Sequence, residues 1–84
     1  MSIYVGNLSY DVTEEDLKQA FEGFGQVTSV NIMKDRHSGE SRGFGFVEMR
    51  AQAEAESAIN GLSGKVLKGR PLYVSEARFR FKSG

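Results

Sequence analysis

Along this chain the apolar side chains recur every second residue, then every third or fourth, then every second again, and the switches mark out successive elements. Residues 3 to 8 (IYVGNL) alternate, with Ile3 and Val5 on one face and Tyr4 on the other, which predicts a strand running into the turn formers Gly6 and Asn7. Thr13-Glu-Glu-Asp16 reads as a helix start, with Thr13 as N-cap, Asp16 reaching back, and acids at the positive end of the helix. Leu17, Ala20, Phe21 and Phe24 follow as the buried stripe, and Gly23 and Gly25 stop the helix. Alternation returns over residues 27 to 34, where Val30 and Ile32 point inward and Ser29, Asn31 and Met33 outward. A polar loop over residues 35 to 41, with the turn signal Ser38-Gly39, leads into a further strand over residues 42 to 49. A second helix is expected from about Ala51 to Asn60, its stripe Ala55, Ala58, Ile59 and Leu62 and its stop Asn60-Gly61. No capping side chain closely precedes Ala51. Residues 65 to 69 predict a short hairpin ribbon, and after Pro71 a last strand spans residues 72 to 75, with Leu72 and Val74 inward and Tyr73 outward.

The strand Arg42-Gly-Phe-Gly-Phe-Val-Glu-Met49 is unusual in what alternation exposes. Arg42, Phe44, Phe46 and Glu48 share one face, and Gly43, Gly45, Val47 and Met49 the other. An interior that took in Phe44 and Phe46 would take in Arg42 and Glu48 with them, and unpaired buried charges are very costly. The phenyl face is therefore the open one. Two flat rings about 7 Å apart along a strand, next to an arginine, suit unstacked nucleobases with phosphates nearby.

The order strand, helix, strand, strand, helix, strand is the split β-α-β arrangement. Two amphipathic helices cover one face of a four-stranded antiparallel sheet and leave the other open. The expected class is thus α+β, a ferredoxin-like βαββαβ sandwich. Tyr4, Phe44, Phe46 and Tyr73 all face outward on it, and an exposed aromatic patch of this kind marks a binding surface.

Net charge adds a distinction that the total conceals. The chain is neutral, with 11 bases and 11 acids among 84 residues. Seven of the acids lie in or beside the two helical segments, where only Lys18 and Arg50 oppose them, so those segments carry −5 and the rest of the chain +5. The chain is long enough for one core but not for an enclosed active-site cleft as well. It has no cysteine, hence no disulfide, thiol nucleophile or Cys-based zinc site. No apolar run approaches a membrane span and no signal peptide is evident, so a soluble domain without membrane contact is expected, cytoplasmic or, in a eukaryotic source, alternatively nuclear.

These residues carry a resemblance. Arg42 to Met49 resembles the longer ribonucleoprotein signature of the RNA-recognition motif, K/R-G-F/Y-G/A-F-V-x-F/Y, departing only at Met49. Ile3-Tyr-Val-Gly-Asn-Leu8 resembles the shorter signature, and the likeness covers residues 2 to 77. Within the family the chain is most similar to the small single-domain RNA-binding proteins of bacteria, including cyanobacteria. The resemblance implies a partner, single-stranded RNA, with Tyr4 and Phe46 stacking on two successive bases, Phe44 packing against the intervening sugars and Arg42 meeting a phosphate. It also implies that the first and third strands are central. Met49 stands where the family has an aromatic, but its parity assigns it to the helix-covered side. Asn31, Met33 and Tyr73 are secondary candidates, and Glu48 either accepts from a base amine or repels phosphate.

No cofactor and no catalysis are expected. There is a single histidine, His37, in a mixed-charge loop, and no spaced set of metal ligands or carboxylates. The loop after the first strand lacks the basic residues of an acylphosphatase of the same architecture. Stacking by itself does not separate RNA from single-stranded DNA, and a protein partner on the helical side is the rival reading. Residues 78 to 84 read as a tail outside the domain of residues 1 to 77, with Arg78, Phe79, Arg80, Phe81 and Lys82 interleaving cations and rings. Residues 1 to 77 alone hold 8 bases against 11 acids, so the tail supplies the balancing charge. Two readings stay open for it, a frayed and solvated terminus or a segment that closes over RNA with Arg78 and Arg80 as phosphate contacts.

Overall fold

The computed structural model describes residues 1–77, with elements β1 (Ser2–Gly6), α1 (Glu14–Glu22), β2 (Val27–Lys34), β3 (Ser41–Met49), α2 (Gln52–Leu62), β4 (Val66–Leu67), β5 (Arg70–Pro71) and β6 (Tyr73–Glu76). Four strands form one antiparallel sheet in the order β2-β3-β1-β6, and β4 and β5 form a separate ribbon. The two strands bearing the ribonucleoprotein signatures, β1 and β3, are central. Both helices lie on one face, where Ile3, Val5, Val47, Met49 and Val74 pack with Leu17, Phe21, Ala55, Ala58 and Leu62 in a single core. The α+β ferredoxin-like sandwich of the sequence reading is therefore the fold.

Local chemistry accounts for most boundaries. The α1 N-terminus carries a full capping box: the Asp16 N–H donates to Thr13 Oγ1 at 3.1 Å and the Thr13 N–H to Asp16 Oδ2 at 2.9 Å. Those bonds use two of the amides that a helix start leaves without partners. The start of α2 has no such cap; Ala51 precedes it in extended conformation with no side-chain bond. The ribbon turns on Lys68 and Gly69, at φ 51° and 89°, the two left-handed residues of a tight hairpin.

Two predicted ends move. The first strand stops at Gly6 rather than Leu8, because Asn7 takes φ 59° and sends the chain out of the ladder, while Leu8 turns into the core. The second helix continues through Gly61 to Leu62. Gly61 is a packing glycine: a Cβ there would meet the Phe24 ring at 2.5 Å. The chain reverses at Gly64 instead, at φ 82°, whose N–H donates to the Leu72 carbonyl at 2.8 Å.

One edge of the sheet is β2. Its Ile32 N–H points away from β3, and the Glu14 carboxylate, from the first turn of α1, accepts from it at 3.1 Å. A side chain thus occupies a donor that an edge strand otherwise offers to a neighbouring chain.

Candidate nucleic-acid interface

The face opposite the helices is built from register. Tyr4 on β1 lies directly across from Phe46 on β3, which in turn lies across from Asn31 on β2, and on the other side Tyr4 faces Ser75 on β6. One transverse row therefore reads Asn31, Phe46, Tyr4, Ser75. Tyr73 enters two pairs further along, opposite Gly6.

Tyr4 is the hub of the aromatic set. Its ring centroid lies 5.9 Å from Phe44 at an interplanar angle of 30°, 5.8 Å from Phe46 at 66°, and 5.9 Å from Tyr73 at 70°. Phe44 and Phe46 meet edge to face at 6.2 Å. These are favourable offset and T-shaped arrangements. Contact among the rings leaves Tyr4, Phe44 and Phe46 half-buried rather than fully exposed as alternation suggested, whereas Tyr73 stays 60% exposed. Sequence parity shows the face a ring takes but not the cover its neighbours give.

The two glycines of β3 have separate reasons. Gly45 faces the β2 backbone so closely that a Cβ would lie 2.6 Å from the Asn31 carbonyl oxygen. Gly43 takes φ 88° at a register irregularity between β2 and β3, so the pleat is interrupted there. Strict alternation holds from Phe44 to Met49, and Arg42 cannot be assigned to the Phe face by parity, as the sequence reading did. Arg42 is exposed, and its charge acts on Asp35 of the preceding loop. The Asp35 carboxyl is held below the usual aspartate range, first by the Ser38 and His37 N–H groups it accepts and then by Arg42.

The other expected residues fall as follows. Asn31 is exposed beside Phe46, Met33 is half-buried, and Met49 is fully buried on the helix side. Glu48 accepts from the Ser2 hydroxyl, so part of its carboxylate is already occupied. His37 is exposed in its loop. Arg78 and Arg80 lie outside the described residues.

Two residues gain a place that sequence reasoning did not give them. Asn7, read only as a turn former, donates from Nδ2 to the Pro71 carbonyl at 2.7 Å, and its Oδ1 accepts from Arg70 at 3.0 Å. A bond across 63 positions leaves no local signature. Lys68, by contrast, turns to the acidic helical side, 3.0 Å from the Asp16 carboxylate and 3.2 Å from the Asp11 carbonyl.

The RNA recognition motif, as a family, matches residues 3–73 of this chain. The chain belongs to that family. It is 51% identical over 84 residues to RbpE of Nostoc sp., named as a candidate RNA-binding protein, covering 100% of this chain and 85% of the relative. It is 48% identical over 82 residues to the glycine-rich RNA-binding protein 1 of Mycosarcoma maydis, covering 98% of this chain and 47% of that one. Among solved structures, RNA-binding protein PG1 superposes with a TM-score of 0.91 at 49% identity, covering 98% of this chain and 99% of that one. A Sex-lethal protein in complex with RNA superposes with a TM-score of 0.90 at 30% identity, over 98% of this chain and 49% of that one. The resemblance found in the two signatures thus extends through the fold.

Proposed function

We propose that this domain binds single-stranded RNA across the open face of its sheet, with successive bases on Tyr4 and Phe46, Phe44 against the sugars between them, and Arg42 at a phosphate. The observation that carries this reading is the contiguous ring cluster, in which Tyr4 lies within 6 Å of three other aromatic rings on a face the helices do not cover. A base stacks on such a ring whatever its identity, which gives affinity without strong sequence demands. RNA-bound structures of Rna15 and Sex-lethal domains share the fold and so support the reading.

Asn31 and Met33 extend the proposed surface on β2, and Tyr73 extends it on β6. Arg78 and Arg80 are proposed as phosphate contacts of the tail. Truncation after Ala77 should then weaken binding and flatten the slope of log affinity against log salt by roughly one to two units, since each single-strand phosphate contact contributes about 0.7. Equal slopes for the two lengths would remove the tail from the interface.

The decisive experiment is retention of a randomised single-stranded RNA pool by the full chain, with a DNA pool in parallel and Phe46→Ala as the control. Retention of RNA that Phe46→Ala loses is the expected result. Equal retention by both chains would overturn the stacking surface, and preference for the DNA pool would overturn the choice of RNA, which rests on contacts to the 2′-hydroxyl.

A further inference from the structure

Arg70 is ordered without being neutralised. Asn7 follows β1 in the left-handed conformation that asparagine tolerates better than most residues, φ 59°. Its amide is engaged at both ends, donating to the Pro71 carbonyl at 2.7 Å and accepting from an Arg70 Nη at 3.0 Å. The guanidinium is held by a neutral group, and among the described residues no carboxylate forms an ion pair with it, while neighbouring Lys68 is committed to Asp16. One of its five N–H donors is used, which leaves the rest of a planar fork for an anion.

Its position gives that anion an identity. Asn7 comes directly after Gly6, which pairs with Tyr73 and lies beneath the Tyr4 ring. Arg70 therefore stands at the end of the sheet where Tyr4 and Tyr73 meet. At the same end, the Leu8 N–H donates to the Gly43 carbonyl at 2.9 Å, tying the β1 turn to the residue next to Arg42. Arg42, on the neighbouring strand β3, and Arg70, on the β4–β5 ribbon and bonded to Asn7, thus both lie near this end of β1.

We propose that Arg70, oriented by Asn7, binds a phosphate of the RNA strand and carries its path from Phe46 and Tyr4 past Tyr73 to the β6 edge. This rests on the RNA reading above. Holding the side chain in advance lowers the ordering cost at binding, and Asn7 acts as the positioning residue.

The test is a salt titration of affinity for a labelled, mixed-sequence single-stranded RNA of roughly 12 nucleotides, using the full chain. Arg70→Gln should weaken binding roughly three- to tenfold and flatten the slope by about 0.7. Arg70→Lys should recover the slope. Asn7→Gly, which keeps the left-handed turn and the charge, should lower affinity by roughly twofold with the slope intact. Urea midpoints near the parent value establish that each variant is folded. A parental slope in Arg70→Gln, with Phe46→Ala still weakened, overturns the Arg70 proposal and leaves the stacking surface standing. A flat slope in Arg70→Lys also overturns it, because charge is then not what acts. Parental affinity in Phe46→Ala overturns the stacking reading and this one with it.

Discussion

The Tyr4 ring lies across Gly6, two residues on along the same strand face, so that a Cβ on residue 6 would fall 2.7 Å from the phenolic oxygen. The missing side chain lets Tyr4 lean toward Phe44 and Tyr73 and act as the hub of the cluster. Gly6→Ala should therefore displace the ring while leaving the fold intact, because what must move is the end of a flexible side chain. RNA affinity should fall by roughly 1–2 kcal/mol, within the worth of one base stack. Fluorescence anisotropy with a urea titration on the same sample checks this; parental affinity would show that the lean is immaterial.

Tyr4→Ala and Phe46→Ala should each weaken single-strand binding by roughly 1–3 kcal/mol. Their stabilities should differ. Tyr4 meets three rings and Phe46 two, and each such pair is worth about 0.5–1.5 kcal/mol. Chemical denaturation should rank Tyr4→Ala as the less stable variant, and the opposite ranking would contradict the hub geometry.

Met49 replaces an aromatic of the family signature yet is fully buried beneath the helices. Met49→Ala should cost roughly 2–5 kcal/mol of stability with little change in RNA affinity under conditions where the variant is folded. Normal stability with lost binding would place Met49 in the interface instead.

Glu14 guards the β2 edge through the Ile32 N–H. Glu14→Ala should lower stability by about 0.5–1.5 kcal/mol and speed hydrogen exchange at Ile32. It should also bring concentration-dependent self-association in sedimentation runs, because a free edge amide recruits another strand. Unchanged exchange at Ile32 would mean the carboxylate protects nothing.

Asp16 has its carboxyl held below the usual aspartate range, chiefly by the Thr13 N–H and then by the Lys68 ammonium. A depressed folded-state pKa stabilises the native state above the unfolded pKa, and that contribution is lost as pH falls through the folded value. Asp16→Asn should therefore be less stable than the parent near neutrality, with the gap closing under acid. Parallel urea titrations from neutral pH downward test the sign; a gap that widens in acid would contradict it.

The sequence by itself determined the alternation that turns Tyr4, Phe46 and Tyr73 outward and Val47 and Met49 inward, the Thr13 capping box, and the order of elements. Those features depend on residues within a few positions of one another, where periodicity and capping chemistry act. Only the tertiary structure decided which glycines were turns and which were spaces. Gly61 admits the Phe24 ring, Gly6 the Tyr4 ring and Gly45 the β2 backbone, while Gly43 breaks the pleat that parity had carried through to Arg42. Tertiary structure likewise decided that Asn7 holds Arg70 and Glu14 caps Ile32. The reason is the same in each case: a missing Cβ or a free amide is meaningful only against the group that approaches it, and that group arrives from a distant part of the chain.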